Sequence, residues 1–479
     1  MRSFAPKRPE YTSRWAVSAS PLRSSLPSGT YSASHQRASW RFERRWAIAA
    51  PRRARMSKEL GKSLALPCGA ILRNRLAKSA TQEGLADNEY RVSDALCRLY
   101  RRWSHGGAGL LVTGDVMVDG AHMERFGNVV LETPDDLPAL RRWAAAGQAA
   151  DNHFWMQINH PGRQTPIRFN PHPFAPSAST AGLPPREFGM PRAMSEDDIT
   201  DVITRFARTA AISREAGFTG VQLHGAHGFL ISQFLSPLAN HRNDAWGGSL
   251  ENRARLLLES VKAIRAAVGS DYPISVKLNS ADFQRGGFDI EDSVAVVGML
   301  NGSGIDLLEI SGGNISSLAM MGSASDEPAA PKAHSTVKRE AYFAGYAERI
   351  RPVAGMPLMI TGGFRHAADM TAMLVEDRVD MIGMARPLCV DPEICAKLLD
   401  GRATSAPTLQ EDLILDRGTL PADLDDSAFA YAVSVAQLCW LYLQLARIAQ
   451  GDDPDFGLPL ATAIAELGRI EEQRASVSV

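Results

Sequence analysis

From Arg75 onward the chain alternates short apolar runs with longer stretches whose apolar residues recur at helical spacing. Leu76–Ser79 precedes a helical period over Ser93–Trp103, Gly109–Val112 precedes Asp135–Ala150, and Phe154–Gln157 leads through a Pro-rich loop to Ser195–Ala216. Within that last stretch Ile199, Val202, Ile203, Phe206 and Ala210 share one face. Ser195 stands where an N-cap belongs and Gly217 where a helix-ending glycine belongs. The alternation continues with Val221–Leu223 before Ser249–Val268, and Ile274–Lys277 before Ile290–Leu300. Asp306–Ile310 then precedes Val337–Arg351, Leu358–Ile360 precedes His366–Val375, and Met381–Met384 precedes a short helix near Pro392–Leu399.

Strict alternation of strand and helix predicts a parallel sheet covered by helices, and eight such units fit a closed (β/α)8 TIM barrel. The barrel is expected over residues 56–402, with residues 403–479 as a helical extension outside it. In such a barrel the chemistry lies where the strands end. Those ends read Ser79, Ala80 and Thr81; Gly114 and Asp115; Gln157, Asn159 and His160; His224 and His227; Lys277 and Asn279; Ser311 to Gly313; Thr361 to Gly363; Ala385 and Arg386. Nearly all are polar, basic or glycine, behind which the strands are apolar.

Composition changes the picture at the two termini. The whole chain has 52 basic and 53 acidic side chains. Residues 1–55 hold 12 of the basic ones and only 2 of the acidic ones, a net of +10, which leaves −11 for the remainder. An acidic body argues against nucleic-acid binding by the barrel. The basic, Arg/Ser/Pro-rich segment 1–55 is expected to be disordered. It reads as an organelle transit peptide, as sequence upstream of a start at Met56, or as a basic arm. Five cysteines (Cys68, Cys97, Cys389, Cys395, Cys439) form no CxxC pair and fit reduced thiols, hence a cytoplasmic protein or one imported through residues 1–55. Ser427–Ala446 is uncharged for twenty residues. A membrane span and a packed helix both fit that length; Ser434, Gln437 and Gln444 favour the packed helix, so no membrane partner is expected.

Three features carry candidate chemistry. Gly362 and Gly363 after the seventh strand, with Arg386 after the eighth, fit a phosphate site, although glycines there also simply turn a chain. Lys277 ends an apolar strand; its ammonium either reaches solvent or needs an anionic or polarised partner, such as the N1–C2=O edge of a flavin. His224 and His227 can be read as core histidines, as metal ligands lacking a third partner, or as two donors to one substrate oxygen. A small-molecule substrate follows from the phosphate and donor readings; a homo-oligomer is compatible with the sequence.

The stretch HGAHGFLISQFLSPLANHRNDAWGGSLENRAR resembles the Old Yellow Enzyme / NADH:flavin oxidoreductase family. NRLAKSAT, QINHPGRQ, SVKLNSADFQRGGF, EISGG, TGGFR and GMARPL extend that resemblance over roughly residues 62–400, and weaker similarity continues through WLYLQLARIAQG. The resemblance implies an FMN-binding barrel of the short form that takes hydride from NADH or NADPH and passes it to an activated alkene. It places Ser79, Ala80, Thr81, Gly114, Gln157 and Lys277 at the flavin ring, Gly362, Gly363, Ala385 and Arg386 at its phosphate, and His224 and His227 at the substrate. Two positions depart from the family. Phe229 stands where a proton-donating Tyr is usual, which removes that acid and makes an oxidase or diaphorase, passing electrons to oxygen or quinones, an alternative. A flavin-binding barrel without turnover is a further alternative. Ser79 and Ala80 replace a common Pro-Met pair beside the flavin.

Overall fold

In the computed structural model, residues 56–181, 183, 187–313, 344–408, 413–419 and 424–477 are described. The expectation for residues 1–55, and the start of the helical period expected over Val337–Arg351, lie outside them. Eight parallel strands close on themselves: β1 (Leu76–Lys78), β2 (Leu110–Met117), β3 (His153–Asn159), β4 (Gly220–Gly225), β5 (Ile274–Asn279), β6 (Leu307–Ser311), β7 (Leu358–Thr361) and β8 (Met381–Met384). Each pairs with its sequence neighbours, and β8 returns to β1 through Gly383 and Ala77. The expected TIM barrel is the observed fold.

The helices between and after the strands are α1 (Asp94–His105), α2 (Leu137–Gly147), α3 (Glu196–Glu215), the short α4 (Leu230–Leu235), α5 (Leu250–Val268), α6 (Ile290–Leu300), α7 (Ala344–Ile350), α8 (Ala367–Val375) and α9 (Ile394–Leu399). Two more, α10 (Asp426–Gln450) and α11 (Leu460–Val477), follow the barrel. Helix α3 begins on a reciprocal capping box between Ser195 and Asp198 and buries Ile199, Val202, Phe206 and Ala210. Such a cap contributes about 1 kcal/mol. Burial of the apolar stripe does the larger share, at about 25 cal/mol per Å² removed from water.

The barrel interior is layered. At the bottom Ala77, Leu110, Val112, Trp155, Leu307, Met359 and Met381 form an apolar cluster. It is closed from below by Leu64 and Leu72 of a short antiparallel strand pair and by Leu66 in the turn between them. One layer up, the inward residues turn polar. The period of two that makes one strand face apolar outside therefore delivers the polar residues to the mouth.

Helix α10 follows the barrel strands yet folds back over their ends. It packs on α1, on α11 and on the turn Arg386–Cys389 that follows β8. It is long and apolar enough to cross a membrane over Ala428–Gln450, with mean hydropathy 1.4. That apolar character has an account within the fold: one face meets α1, a second meets α11, and a third meets the cavity at the barrel mouth.

Candidate active site

The floor of the site is a buried chain of hydrogen bonds across the barrel. Gln157 Nε2 donates to Gln222 Oε1 (2.7 Å), and Gln222 Nε2 donates to Glu309 Oε2 (2.7 Å). Thr361 Oγ1 donates to Glu309 Oε1 (2.7 Å), and Ser79 Oγ lies 2.6 Å from Thr361 Oγ1. The Lys277 ammonium sits 3.3 Å from Glu309 Oε1, with the two side chains 4% and 0% exposed. Register explains the meeting, because Lys277 faces His224 on one side and Glu309 on the other. The anion that Lys277 requires is thus a residue of this chain. Sequence reading passed over Glu309 because one carboxylate inside an apolar strand gives no periodic signal.

Above this floor a cavity of about 390 Å³ opens. Thr81, Ala80, Gln157, Lys277, His224, His227, Phe229, Gly362, Gly363, Ala385 and Arg386 all line it, so the structure brings together eleven of the thirteen expected site residues. Ser79 and Gly114 are the other two, and both lie behind the wall. The Ser79 hydroxyl is turned to Thr361. The Gly114 N–H donates to Glu83 Oε1 (2.8 Å), and a Cβ there would stand 2.2 Å from Glu83 Oε2. Gly114 is therefore glycine because Glu83 crowds it, a close approach between residues distant in the chain.

His224 and His227 stand with ring centroids 5.0 Å apart. His227 holds a left-handed backbone (φ 61°), which costs a β-carbon-bearing residue about 1–2 kcal/mol. Asn279 Oδ1 offsets this by accepting the His227 N–H (3.1 Å), and Gln164 Nε2 donates to its carbonyl (2.9 Å). His224 Nδ1 accepts the Ala226 N–H (3.2 Å), so the proton of the neutral ring sits on Nε2. His227 Nε2 meets Ser311 Oγ at 2.7 Å; with that hydroxyl donating, Nδ1 carries the proton. Neither His224 Nε2 nor His227 Nδ1 has a hydrogen-bond partner among the described residues. Burial, then the Lys277 charge, pushes His227 down to about 3; burial, His227 and Lys277 hold His224 well below the ordinary histidine range. Both are neutral donors at pH 7. Phe229 packs edge-on to His224 (4.8 Å, 90°) at the start of α4 and brings no acid.

At the β7 and β8 ends, Gly362 and Gly363 adopt φ of 122° and 79°, conformations that favour glycine. Arg365 and Arg386 line the same cavity. Burial, then Arg365, lowers Arg386 to about 10. Two guanidiniums that oppose one another beside a diglycine turn fit a phosphate dianion, whose charge would relieve both. The residues present therefore suit the phosphate of FMN. Arg365 was not singled out from sequence, although it stands two positions past Gly363.

Two further groups bring titratable side chains together, and of their members only Asp115 and His160 were named from the sequence, as strand ends. Asp115 and Glu124 line the cavity, and burial pushes both carboxyls up, Asp115 also through Glu124. Asp119, His122 and His160 form a buried cluster with the geometry of a metal site. However, the His160 Nδ1 accepts the Gly162 N–H (3.0 Å) and the His122 Nε2 accepts the Phe174 N–H (3.0 Å). With those nitrogens accepting, the other ring nitrogen of each histidine faces Asp119, His122 Nδ1 within hydrogen-bond reach at 2.6 Å and His160 Nε2 farther off at 3.6 Å, so the ring nitrogens are already committed to tying loops together. The apolar side of the cavity comes from α10, through Tyr431, Val435, Leu438, Leu441, Tyr442 and Leu445.

What fold and site define together is an oxidoreductase barrel of the flavin-binding kind. The chain belongs to the NADH:flavin oxidoreductase / NADH oxidase family, whose pattern matches residues 69–405. It is 35% identical to the NADH-dependent flavin oxidoreductase iccE of Talaromyces variabilis over 352 residues, which cover 70% of this chain and 84% of that one. It is 36% identical to iliE of Neonectria sp. (strain DH2) over 351 residues, 69% of this chain but 46% of that protein, so it spans about half of that relative's length. Among solved structures it resembles a 2-naphthoyl-CoA reductase complex (TM-score 0.66, 27% identity, 73% of this chain and 54% of that one). The old yellow enzyme homologue of Zymomonas mobilis shares the fold (TM-score 0.62, 21% identity, 75% of this chain and 98% of that one). FMN and NADH are the cofactors of this family.

Proposed function

We propose that the protein oxidises reduced nicotinamide and delivers the hydride to the β-carbon of an α,β-unsaturated carbonyl acceptor. Bound FMN supplies the two-electron relay between donor and acceptor. The protein's part is orientation and electrostatics. His224 and His227 each present one ring N–H to the acceptor carbonyl oxygen and stabilise the charge that grows there. Lys277, charged and set beside them, favours negative charge at the floor of the site, and Glu309 holds it in place. Gly362, Gly363, Arg365 and Arg386 grip the phosphate. The observation that carries this reading is the pair of neutral imidazoles, each with one ring nitrogen free of protein partners among the described residues, on the wall of a cavity with a phosphate-type turn.

Phe229 favours a second reading, in which oxygen or a quinone takes the electrons, since neither acceptor requires a proton from that position. Anaerobic reduction of the purified flavoprotein by NADH and by NADPH, followed by reoxidation with enones, quinones and oxygen, separates the two. Enone-driven reoxidation with formation of the saturated ketone supports the first. Reoxidation by oxygen or quinone alone refutes it in favour of the second. A protein that binds FMN yet accepts no electrons from either nicotinamide refutes both and leaves a flavin-binding barrel without turnover.

A further inference from the structure

Helix α10 lies beyond the span that matches the family, yet residues from Tyr431 to Leu445 along it line the cavity, all apolar or aromatic but Ser434. Its lining residues, Tyr431, Val435, Leu438, Leu441, Tyr442 and Leu445, recur at spacings of three and four, a single stripe of about 21 Å along the helix axis. The stripe is graded. Leu441, Tyr442 and Leu445 are buried, Leu438 is half-buried, and Val435 is exposed at the rim. Anchors fix it in place. Arg125 stacks 3.6 Å over the Tyr442 ring and reaches Glu471 of α11 at 2.9 Å. Arg98 donates to the Ala449 carbonyl (2.7 Å), and Arg474 of α11 donates to the Gly84 carbonyl (2.9 Å) beside the β1 loop. The rest of the lining is mixed: Gln157, Lys277 and the two arginines are polar, whereas Phe364, Met384 and Pro387 add apolar surface next to the turn on which α10 packs.

We propose that α10 is a cofactor wall, and that its buried half, centred on Leu438 and Leu441, seats the apolar dimethylbenzene end of the flavin. The inference rests on the flavin reading. A flavin has one polar edge, one charged tail and one apolar end. The polar groups of this cavity account for the first two, and α10 is the apolar surface that the third requires. The turn Arg386–Cys389, against which α10 packs, places that surface beside the phosphate end of the site. Val435, the exposed residue of the stripe, stays outside the ring's reach and meets the acceptor or solvent.

The test is a pair of flavins that differ only at this end: FMN and 7,8-didemethyl-FMN, titrated into apoprotein by fluorescence quenching. Two methyl groups moved out of water favour FMN by roughly tenfold in the wild type. That preference falls to about threefold or less in Leu441→Ala and in the milder Leu438→Gln, and persists in Val435→Ala. Circular dichroism confirms that each variant is folded, and the ratio of two affinities in one protein cancels any general loss of binding. An unchanged preference in Leu441→Ala and Leu438→Gln overturns the assignment, as does a wild type that binds both flavins equally. A protein that binds neither flavin overturns the flavin reading itself, and this inference with it.

Discussion

Replacing Glu309 by Gln isolates the electrostatic heart of the barrel. The Lys277 ammonium and the Glu309 carboxylate are 3.3 Å apart and buried. At an effective dielectric constant of 20 their attraction is about 5 kcal/mol. Glutamine keeps the shape, and its one amide oxygen can accept from Gln222 while the Thr361 hydroxyl turns to accept from its NH2, but it leaves Lys277 as a buried cation without a countercharge. Removing one member of a buried pair costs about 3–5 kcal/mol. Lys277→Met alone strands the carboxylate, whose donors Gln222 and Thr361 lessen the loss to about 2–3 kcal/mol. The double variant has no unpaired charge, so its loss is smaller than the sum of the two by about 2 kcal/mol or more. Urea denaturation of the four apoproteins closes the cycle. Additivity within about 0.5 kcal/mol would refute the pair as a coupled unit. A functional consequence follows for the flavin: with Glu309 neutral, the Lys277 charge is less compensated, and the two-electron potential should rise by about 30 mV for each tenfold gain in affinity for the reduced over the oxidised form.

Arg386→Gln should weaken FMN binding by about 1.5–3 kcal/mol, roughly tenfold to a hundredfold, while riboflavin, which lacks the phosphate, binds as before; equal losses for both would place Arg386 elsewhere. His224→Ala should weaken binding of a phenol that mimics an enolate by about tenfold, read by the shift of the flavin absorption band, with FMN retained. Phe229→Tyr should accelerate enone reduction and leave flavin reduction by NADH unchanged, as stopped-flow traces of the two half-reactions will show; a slower or unchanged second half-reaction contradicts a proton deficit at this position. The low pKa of His227, about 3 when folded, predicts a pH effect of definite sign. As pH falls from about 6.5 toward 3, the unfolded chain takes a proton that the folded ring refuses, so the folded state loses up to about 1.4 kcal/mol per pH unit. His227→Asn, which suits the left-handed backbone, lacks that loss, and its stability relative to wild type should improve by this slope between pH 6.5 and 5.

The sequence and the structure agree most where a residue's role follows from its position along one element. The barrel was legible because eight apolar runs alternate with helical periods. Ser195 and Gly217 could be read as the ends of α3 because caps act within a turn of their own helix. The histidines, Lys277, the diglycine and Arg386 were legible as strand ends, since a barrel carries every such end to one mouth. What stayed hidden depends on pairs distant in the chain. Glu309 becomes meaningful only through its register with Lys277, and Gly114 only through Glu83. The role of helix α10 in the site stayed hidden for a different reason: the polar residues that favour packing over a membrane span do not say what the helix packs against. Periodicity cannot separate the face that meets α1 from the face that meets the cavity, because both are apolar. The polar lining of the cavity was thus written in local sequence, whereas the lining from α10 was written in where the last helices fold back. Local motifs therefore mark the glycine turn and the histidines, but not the helix that lines the same cavity.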